Sequence, residues 1–323
     1  MKNIQKIIFK GFYIILIIFI SCGGVEDLTP VFPADNVDET NNQQGDFAGN
    51  LKIVLGDFKQ AQIKELVTTT AEVESILTGF EKLGVNGIRI TIFPKGENPN
   101  QELFDYFYTR AKSKGFKIMA NPALWEGAVR IANKELNNTP LDNNNPQATG
   151  PSPLNNNAAT DAVIARIKEF AQNYEVDWIT PFNEDGKPGR FWSAAQINKI
   201  YAALHNNLNG AELIGPCTWG IGAGTDILEQ TDIKQYITVA TTHNLGFDHD
   251  KWNGFINASG DLPVWDSEVN NNATAFPNKL TRIDAAIQAG VDGLVLYDSW
   301  RGISLSDGSL NAAGRLWRTK IYK

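Results

Sequence analysis

The 323-residue sequence predicts a single α/β domain, a closed (β/α)8 (TIM) barrel, from three observations. Short runs rich in Ile and Val alternate with amphipathic stretches eight times along the chain. The short runs are apolar on both faces, as strands of a parallel sheet covered by helices must be. No glycine-rich phosphate fingerprint follows the first of them, which argues against an open dinucleotide-binding sheet.

The elements follow in order. LKIVLGDF (51–58) is the first strand, ended by Gly-Asp. AEVESILTGFEKLG (71–84) has apolar residues at helical spacing and closes on Gly84, a C-cap residue. VNGIRITIFP (85–94) is β-branched and stops at Pro94. NQELFDYFYTRAKSKG (100–115) is helical and ends on Gly115, and FKIMANPALW (116–125) is the third strand with the start of its loop. The Asn- and Pro-rich segment 130–158 reads as one long loop, of a length that is usually functional or disordered in a compact domain. A helix over 160–175 leads into the strand VDWITPFNE (176–184). Four more pairs complete the alternation: helix 193–208 with strand 211–220, helix 226–237 with strand 238–246, helix 249–260 with strand 263–270, and helix 278–290 with strand 291–300. Helix 311–322 comes last.

The N-terminal 21 residues have the layout of a secretory signal: basic MKNIQK, the apolar run IIFKGFYIILIIFI broken by Lys10 and Gly11, then SCGG. That run is short for a membrane span. Phe19-Ile20-Ser21-Cys22 resembles a lipoprotein signal, which implies a lipid on Cys22. A lipid there would hold the exported protein on a bacterial membrane, expected to be the outer membrane with the domain at the cell surface, without a spanning helix. Residues 22–49 are few in large apolar groups and read as a flexible tether. The remaining 50–323, about 270 residues, suits one barrel of about 250. The second cysteine is Cys217, so lipidation of Cys22 leaves no intrachain disulfide. A net charge of −7 without a basic cluster argues against nucleic acid and anionic membrane surfaces as partners. A monomer is expected.

In a barrel of this kind the chemistry gathers at the C-terminal strand ends. Strand two offers Arg89, strand three Asn121 and then Trp125 and Glu126, strand four Asn183 and Glu184. Strand five offers Cys217, Thr218 and Trp219, strand six His243 and Asn244, strand seven Asp266 and Glu268, strand eight Asp298 and Trp300. PFNE and WDSE each end in Glu, on strands that face each other across the mouth. Two opposed carboxyl groups, one protonated and one ionised, are what hydrolysis of a glycosidic bond with retention requires. Asp266 is on the same strand face as Glu268, two residues earlier, and reads as a buried partner one layer deeper. Arg89, among apolar neighbours, must find an anion. Trp125, Trp192 and Trp219 are candidate sugar platforms, whereas Trp178 reads as core. With three His, no H-x-H or H-E-x-x-H and no G-x-S-x-G, neither a metal, a cofactor nor a serine nucleophile is expected.

The Asn183-Glu184 pair on strand four, with Glu268 on strand seven, resembles the retaining (β/α)8-barrel glycoside hydrolases of clan A. The resemblance implies Glu184 as acid/base, Glu268 as nucleophile and Asn183 as a hydrogen-bonding partner of the hydroxyl beside the anomeric carbon. It further implies Arg89 holding the nucleophile ionised, His243 lining the pocket and Trp300 flooring the sugar subsite. Asp185 and Gly186 stand where much of the clan has Pro or a small apolar residue, and Tyr297 is the weak counterpart of a tyrosine common beside the nucleophile. The implied function is endo-cleavage of a β-linked polysaccharide: β-glucan, β-mannan or a marine galactan. The alternatives are a carbohydrate-binding surface lipoprotein without turnover, or an exo-acting β-glycosidase with segment 130–158 closing one end of its cleft.

Overall fold

A computed structural model describes residues 45–270 and 280–323. The signal segment, Cys22 and most of the tether lie outside the described residues, as does 271–279. Eight parallel strands close on themselves in sequence order: β1 (Ile53–Asp57), β2 (Gly87–Ile92), β3 (Lys117–Pro122), β4 (Trp178–Ile179), β5 (Glu212–Thr218), β6 (Val239–Thr242), β7 (Val264–Val269) and β8 (Gly293–Leu296). Closure is explicit in the pairing of Val54 with Leu294 and Leu55 with Val295. The expected (β/α)8 barrel is the observed fold.

Among the described residues, ten α-helices accompany the strands: α1 (Lys59–Ile63), α2 (Thr70–Leu83), α3 (Gln101–Ser113), α4 (Gly127–Asn137), α5 (Asn157–Asn173), α6 (Ala194–Leu204), α7 (Ile221–Gln230), α8 (Trp252–Ser259), α9 (Arg282–Ala289) and α10 (Ala312–Ile321). Local chemistry sets their ends. Thr69 and Glu72 form a reciprocal capping box at α2, and Gly84 closes that helix at φ 82°, where a side chain would be strained.

Two apolar layers result. Inside the barrel, Leu55, Met119, Trp178, Ile214, Val239, Trp265 and Val295 fill the axis. Trp178 and Trp265 meet edge to face there, with ring centroids 5.0 Å apart, and Gly293 carries no Cβ because the Trp265 indole occupies that space. A larger layer between strands and helices includes Ile88, Ile90, Phe107 and Phe170.

Three boundaries differ from the sequence reading. The tether ends earlier than residue 49, because Phe47 bridges Tyr322 and Ala48 N donates to Ile321 O. The segment expected as loop from 130 begins inside a helix: α4 runs to Asn137 and buries Ala128, Ile131 and Ala132, so the loop is 138–156. Strand four, expected over 176–184, is regular only at Trp178–Ile179. Pro181 has no N–H to donate and interrupts the ladder, yet the chain stays in line through Thr180 N to Ala120 O and Glu184 N to Cys217 O.

Candidate active site

The centre of the site is assembled from β1, β2 and β7. Asp57, the last residue of β1, is the register partner of Arg89 in the middle of β2. Arg89 Nε and Nη2 donate to the two Asp57 oxygens at 3.0 and 2.8 Å, while Nη1 donates to Glu268 Oε2 at 2.8 Å and to Ser267 O at 3.1 Å. The guanidinium is wholly buried, so its planar fork is locked between two carboxylates. Asp57 accepts two further bonds, from Lys59 N and Asp298 N, and thereby ties β1 to the turn after β8.

Glu184 and Glu268 both approach the same ring nitrogen of His243. His243 Nδ1 lies 3.5 Å from Glu184 Oε1 and 3.9 Å from Glu268 Oε2, and its Nε2 is 3.2 Å from Cys217 Sγ. The three residues present donor atoms within 4.8 Å of one another. Both carboxyl groups are buried, with different surroundings. Glu184 Oε2 has no hydrogen-bond partner among the described residues. Burial and the neighbouring Glu268 charge push Glu184 well above the usual carboxylate range, against the opposing pull of Lys59 and Arg89. Burial also acts to raise Glu268, but nearby positive charge outweighs it and holds Glu268 below the usual carboxylate range. We assign that charge to Arg89 and Lys59, because His243 is itself pushed down to about 3 by burial and is neutral near pH 7.

The three donors of Glu184, His243 and Glu268 would also suit the reach of a cation. The buried positive charges of Arg89 and Lys59 act on the same carboxylates and oppose one.

Glu184 adopts φ 63° and Cys217 φ 54°, left-handed conformations uncommon for side-chain-bearing residues and frequent at functional sites. Asn183 is buried, with Oδ1 accepting from Asn121 Nδ2 and Nδ2 donating to Leu124 O. One amide hydrogen and one lone pair remain for a ligand. Asp266 accepts from Glu268 N at 3.1 Å, the supporting role read for it from the sequence, and burial pushes it up to about 7.

The four tryptophans divide. Trp219 follows β5 with 48% of its surface exposed, and Trp125 follows β3 half-buried. Trp192 does not face a ligand: it is in the core, stacked on Phe182, with Nε1 donating to Asp185 Oδ1. Its expected role as a sugar platform is corrected, since a tryptophan beside a strand end and a tryptophan packed under its loop look alike in sequence. Trp300 is 7% exposed, its Nε1 bonded to Asp298 and its ring covered by Arg301 at 4.9 Å. As it stands, little of that ring is open to stack on a sugar.

Three residues escaped the sequence reading. Asp57 reads in sequence only as the end of a strand, although a buried Arg89 on the adjacent strand calls for an anion at that register. Lys59 is buried just after Asp57, and its charge acts on both Glu184 and Glu268. Asp185, noted as a departure after Glu184, accepts hydrogen bonds from Ala128 N, Val129 N, Asn183 N and Trp192 Nε1. It fixes the start of α4 to the segment carrying Asn183 and Glu184. Asp185→Ala leaves those buried donors unsatisfied, and the expected loss of stability is about 3 kcal/mol by urea denaturation. A loss below about 0.5 kcal/mol, the size of an ordinary surface change, would refute this anchoring role.

Loop 138–156 is stapled down. Arg130 donates to Trp125 O, Asp142 O and Asn145 O, Glu126 accepts from Ala148 N and from Arg190, and Asn143 reaches Ile63 O at the end of α1. It forms a fixed wall along the β1 to β3 side.

A closed parallel (β/α)8 barrel with a buried carboxyl pair shifted in opposite directions at its carboxyl end is the class of structure these observations define. No protein-family profile matches the chain, and no curated protein sequence matches it. Solved structures share the fold. A GH5_18 protein from Bifidobacterium longum subsp. longum aligns with a TM-score of 0.57 at 13% identity, over 84% of this chain and 78% of that one. A GH113 beta-1,4-mannanase aligns at 0.51 and 12% identity, over 85% and 98%. A Bacteroidetes-affiliated GH5 cellulase linked with a polysaccharide utilization locus aligns at 0.52 and 11%, over 84% and 90%. At such identities the likeness is one of fold.

Proposed function

We propose that the chain is a retaining glycoside hydrolase that cleaves a β-linked polysaccharide, with Glu184 as acid/base and Glu268 as nucleophile. The observation that carries this reading is the pair itself: two buried carboxyl groups with oxygens within 4.8 Å, one raised and one lowered in pKa. Inverting enzymes separate their carboxyl groups by about 6.5–9.5 Å to admit a water, and retaining enzymes by about 5–5.5 Å. A binding protein has no need of such a pair. The names of the structural neighbours, a mannanase and a cellulase among them, support a β-linked glycan as the substrate class.

Glu184 gives its proton to the glycosidic oxygen as Glu268 Oε attacks the anomeric carbon, the bond to the leaving sugar breaks, and a glycosyl ester forms on Glu268. Glu184, now a carboxylate, takes a proton from water. That water displaces Glu268 from the anomeric carbon and restores both groups. Arg89 keeps Glu268 ionised for the attack, and Asn183 is placed to hold the adjacent sugar hydroxyl.

Action inside chains is the preferred mode, with exposed Trp219 after β5 and half-buried Trp125 after β3 as platforms. The stapled wall at 138–156 favours the exo-acting alternative, in which one end of the cleft is shut. In either mode the domain works at the cell surface on a tether lipidated at Cys22, where a polymer too large to import is met. Nuclear magnetic resonance of fresh products from a panel of β-glucan, β-mannan and galactan, with product sizing, tests the reading. The expected first product keeps the anomeric configuration of the substrate; an inverted first product overturns the double displacement.

A further inference from the structure

We propose that Cys217 is a positioning residue: its thiol donates to His243 Nε2 and so holds His243 as the Nδ1–H tautomer, with that N–H turned to the catalytic pair. The acid proton of Glu184 is thereby kept on Oε2, the oxygen left free to meet the glycosidic bond. This rests on the glycosidase reading above and deepens it.

Cys217 stands where the register between β5 and β6 shifts, between Pro216 and Thr218, and takes φ 54° there. Such an irregularity re-aims a side chain. The main chain of Cys217 is fixed on both sides: its N donates to Thr241 Oγ1 at 3.1 Å and its O accepts from Glu184 N at 2.9 Å. One residue thus holds Glu184 by its carbonyl and reaches His243 by its thiol, with Sγ 3.2 Å from Nε2. Two asparagine amides settle the direction of the bonds. Leu124 O only accepts, so Asn183 turns Nδ2 to it and Oδ1 to Asn121. Asn121 must then present Nδ2, which donates to Asn183 Oδ1 at 2.6 Å and to Cys217 Sγ at 3.7 Å. The sulfur therefore accepts from Asn121, and its proton is left for His243 Nε2 or for Ser267 Oγ at 3.5 Å. The imidazole nitrogen is the nearer, and the hydroxyl can itself donate to sulfur.

The other ring nitrogen leads to the same tautomer. His243 Nδ1 is buried with no hydrogen-bond partner among the described residues, 3.5 Å from Glu184 Oε1 and 3.9 Å from Glu268 Oε2. Glu268 Oε2 accepts from Arg89 and belongs to the ionised member of the pair. A bare nitrogen would set its lone pair against that oxygen, whereas an N–H is attracted to it. Burial keeps the ring neutral and the thiol protonated, pushing His243 down to about 3 and Cys217 up to about 11. With an N–H facing Oε1, the Glu184 proton sits on Oε2, which has no partner among the described residues. The opposite tautomer would offer Nδ1 as an acceptor, and the acid proton would be drawn to the ring instead of the leaving oxygen.

Nitrogen-15 magnetic resonance of the full chain, labelled in histidine and held near pH 7, tests this, because the shift of a ring nitrogen distinguishes N–H from bare nitrogen. The chain has three histidines, and a His243→Asn sample identifies which signals belong to His243. The expected result is Nδ1–H in the wild type and in Cys217→Ser, whose hydroxyl also donates, and a mixture of tautomers in Cys217→Ala. On the polymer, Cys217→Ala is expected to lose about 10-fold in kcat with KM unchanged. It should lose little on an aryl glycoside whose leaving group needs no proton, and Cys217→Ser should recover most of the loss. Nε2–H in the wild type overturns the proposal. So does Cys217→Ala with the wild-type tautomer, with unchanged kcat, or with equal losses on both substrates, which marks a merely structural role. Circular dichroism checks folding; if Cys217→Ala does not fold, loss of Nδ1–H or of most activity in folded Cys217→Ser overturns the proposal, and their retention upholds it. The tautomer is read without substrate, so the two readings fail separately. Cleavage with Nε2–H overturns this proposal alone; Nδ1–H with no cleavage of any polymer overturns the glycosidase reading and the positioning role with it.

Discussion

Glu268→Gln is expected to lower turnover on the polymer by at least about 10^4-fold while the protein stays folded. The amide keeps the shape of the carboxylate and can still accept from Arg89 Nη1, now 2.8 Å from Glu268 Oε2, but it has no anionic oxygen to form the glycosyl ester. Glu184→Gln is expected to behave differently. It removes the proposed proton donor, a loss of about 10²–10⁴-fold on a poor leaving group, but far less on an aryl glycoside whose leaving group departs without help. The two variants should also differ under azide. With Glu184 truncated to Ala, azide can resolve the glycosyl ester and give a β-glycosyl azide of retained configuration. With Glu268 truncated to Ala, azide can only attack directly and give the inverted product. Steady-state kinetics on polymer and aryl glycoside, with product analysis, reads all of this. Equal losses on both substrates for both variants, or retained product from the Glu268 variant, would dismiss the role assignment.

The barrel was legible because its determinants are local and repeated. Each strand is a short apolar run, and the helices carry their own stop signals, as at Gly84 and Gly115. Pairing Glu184 with Glu268 followed from counting strands, since opposite positions in a closed barrel are fixed by order alone. What escaped detection depends on register and on loop packing. Asp57 meets Arg89 because β1 and β2 align those two residues, and no periodicity reports register between strands buried on both faces. Asp185 looked like a loop acid, but its partners are main-chain N–H groups of α4, a helix hidden in a sequence stretch that composition marks as Asn-rich loop. Trp192 failed for the converse reason: a bulky residue near a strand end serves a ligand or the core equally well until its neighbours, Phe182 and Asp185, are known.

Arg89→Met is expected to be the most destabilising single change in the site, by about 3–5 kcal/mol near neutral pH. The side chains of Asp57 and Glu268 are 0% and 8% exposed, so removal of the guanidinium strands two buried carboxylates without their shared partner. The pH dependence has a definite sign. Burial raises Glu268, but its charged neighbours outweigh burial and draw it below its ordinary 4.5; with His243 neutral, Arg89 is foremost among them by contact. A carboxylate depressed in the folded state adds stability that is fully present above its unfolded value and is lost as pH falls through the folded one. Arg89→Met forfeits much of that contribution, so its deficit against wild type should be greatest near pH 7 and shrink as the pH falls toward about 3. Arg89→Lys returns the charge without the planar fork and should recover part of the loss, because one ammonium cannot bridge Asp57 and Glu268 as three guanidinium nitrogens do. Urea denaturation of the three proteins at several pH values decides it. A deficit that is constant with pH would mean that Arg89 acts through packing, and that the ionisation of Glu268 is secured by Lys59.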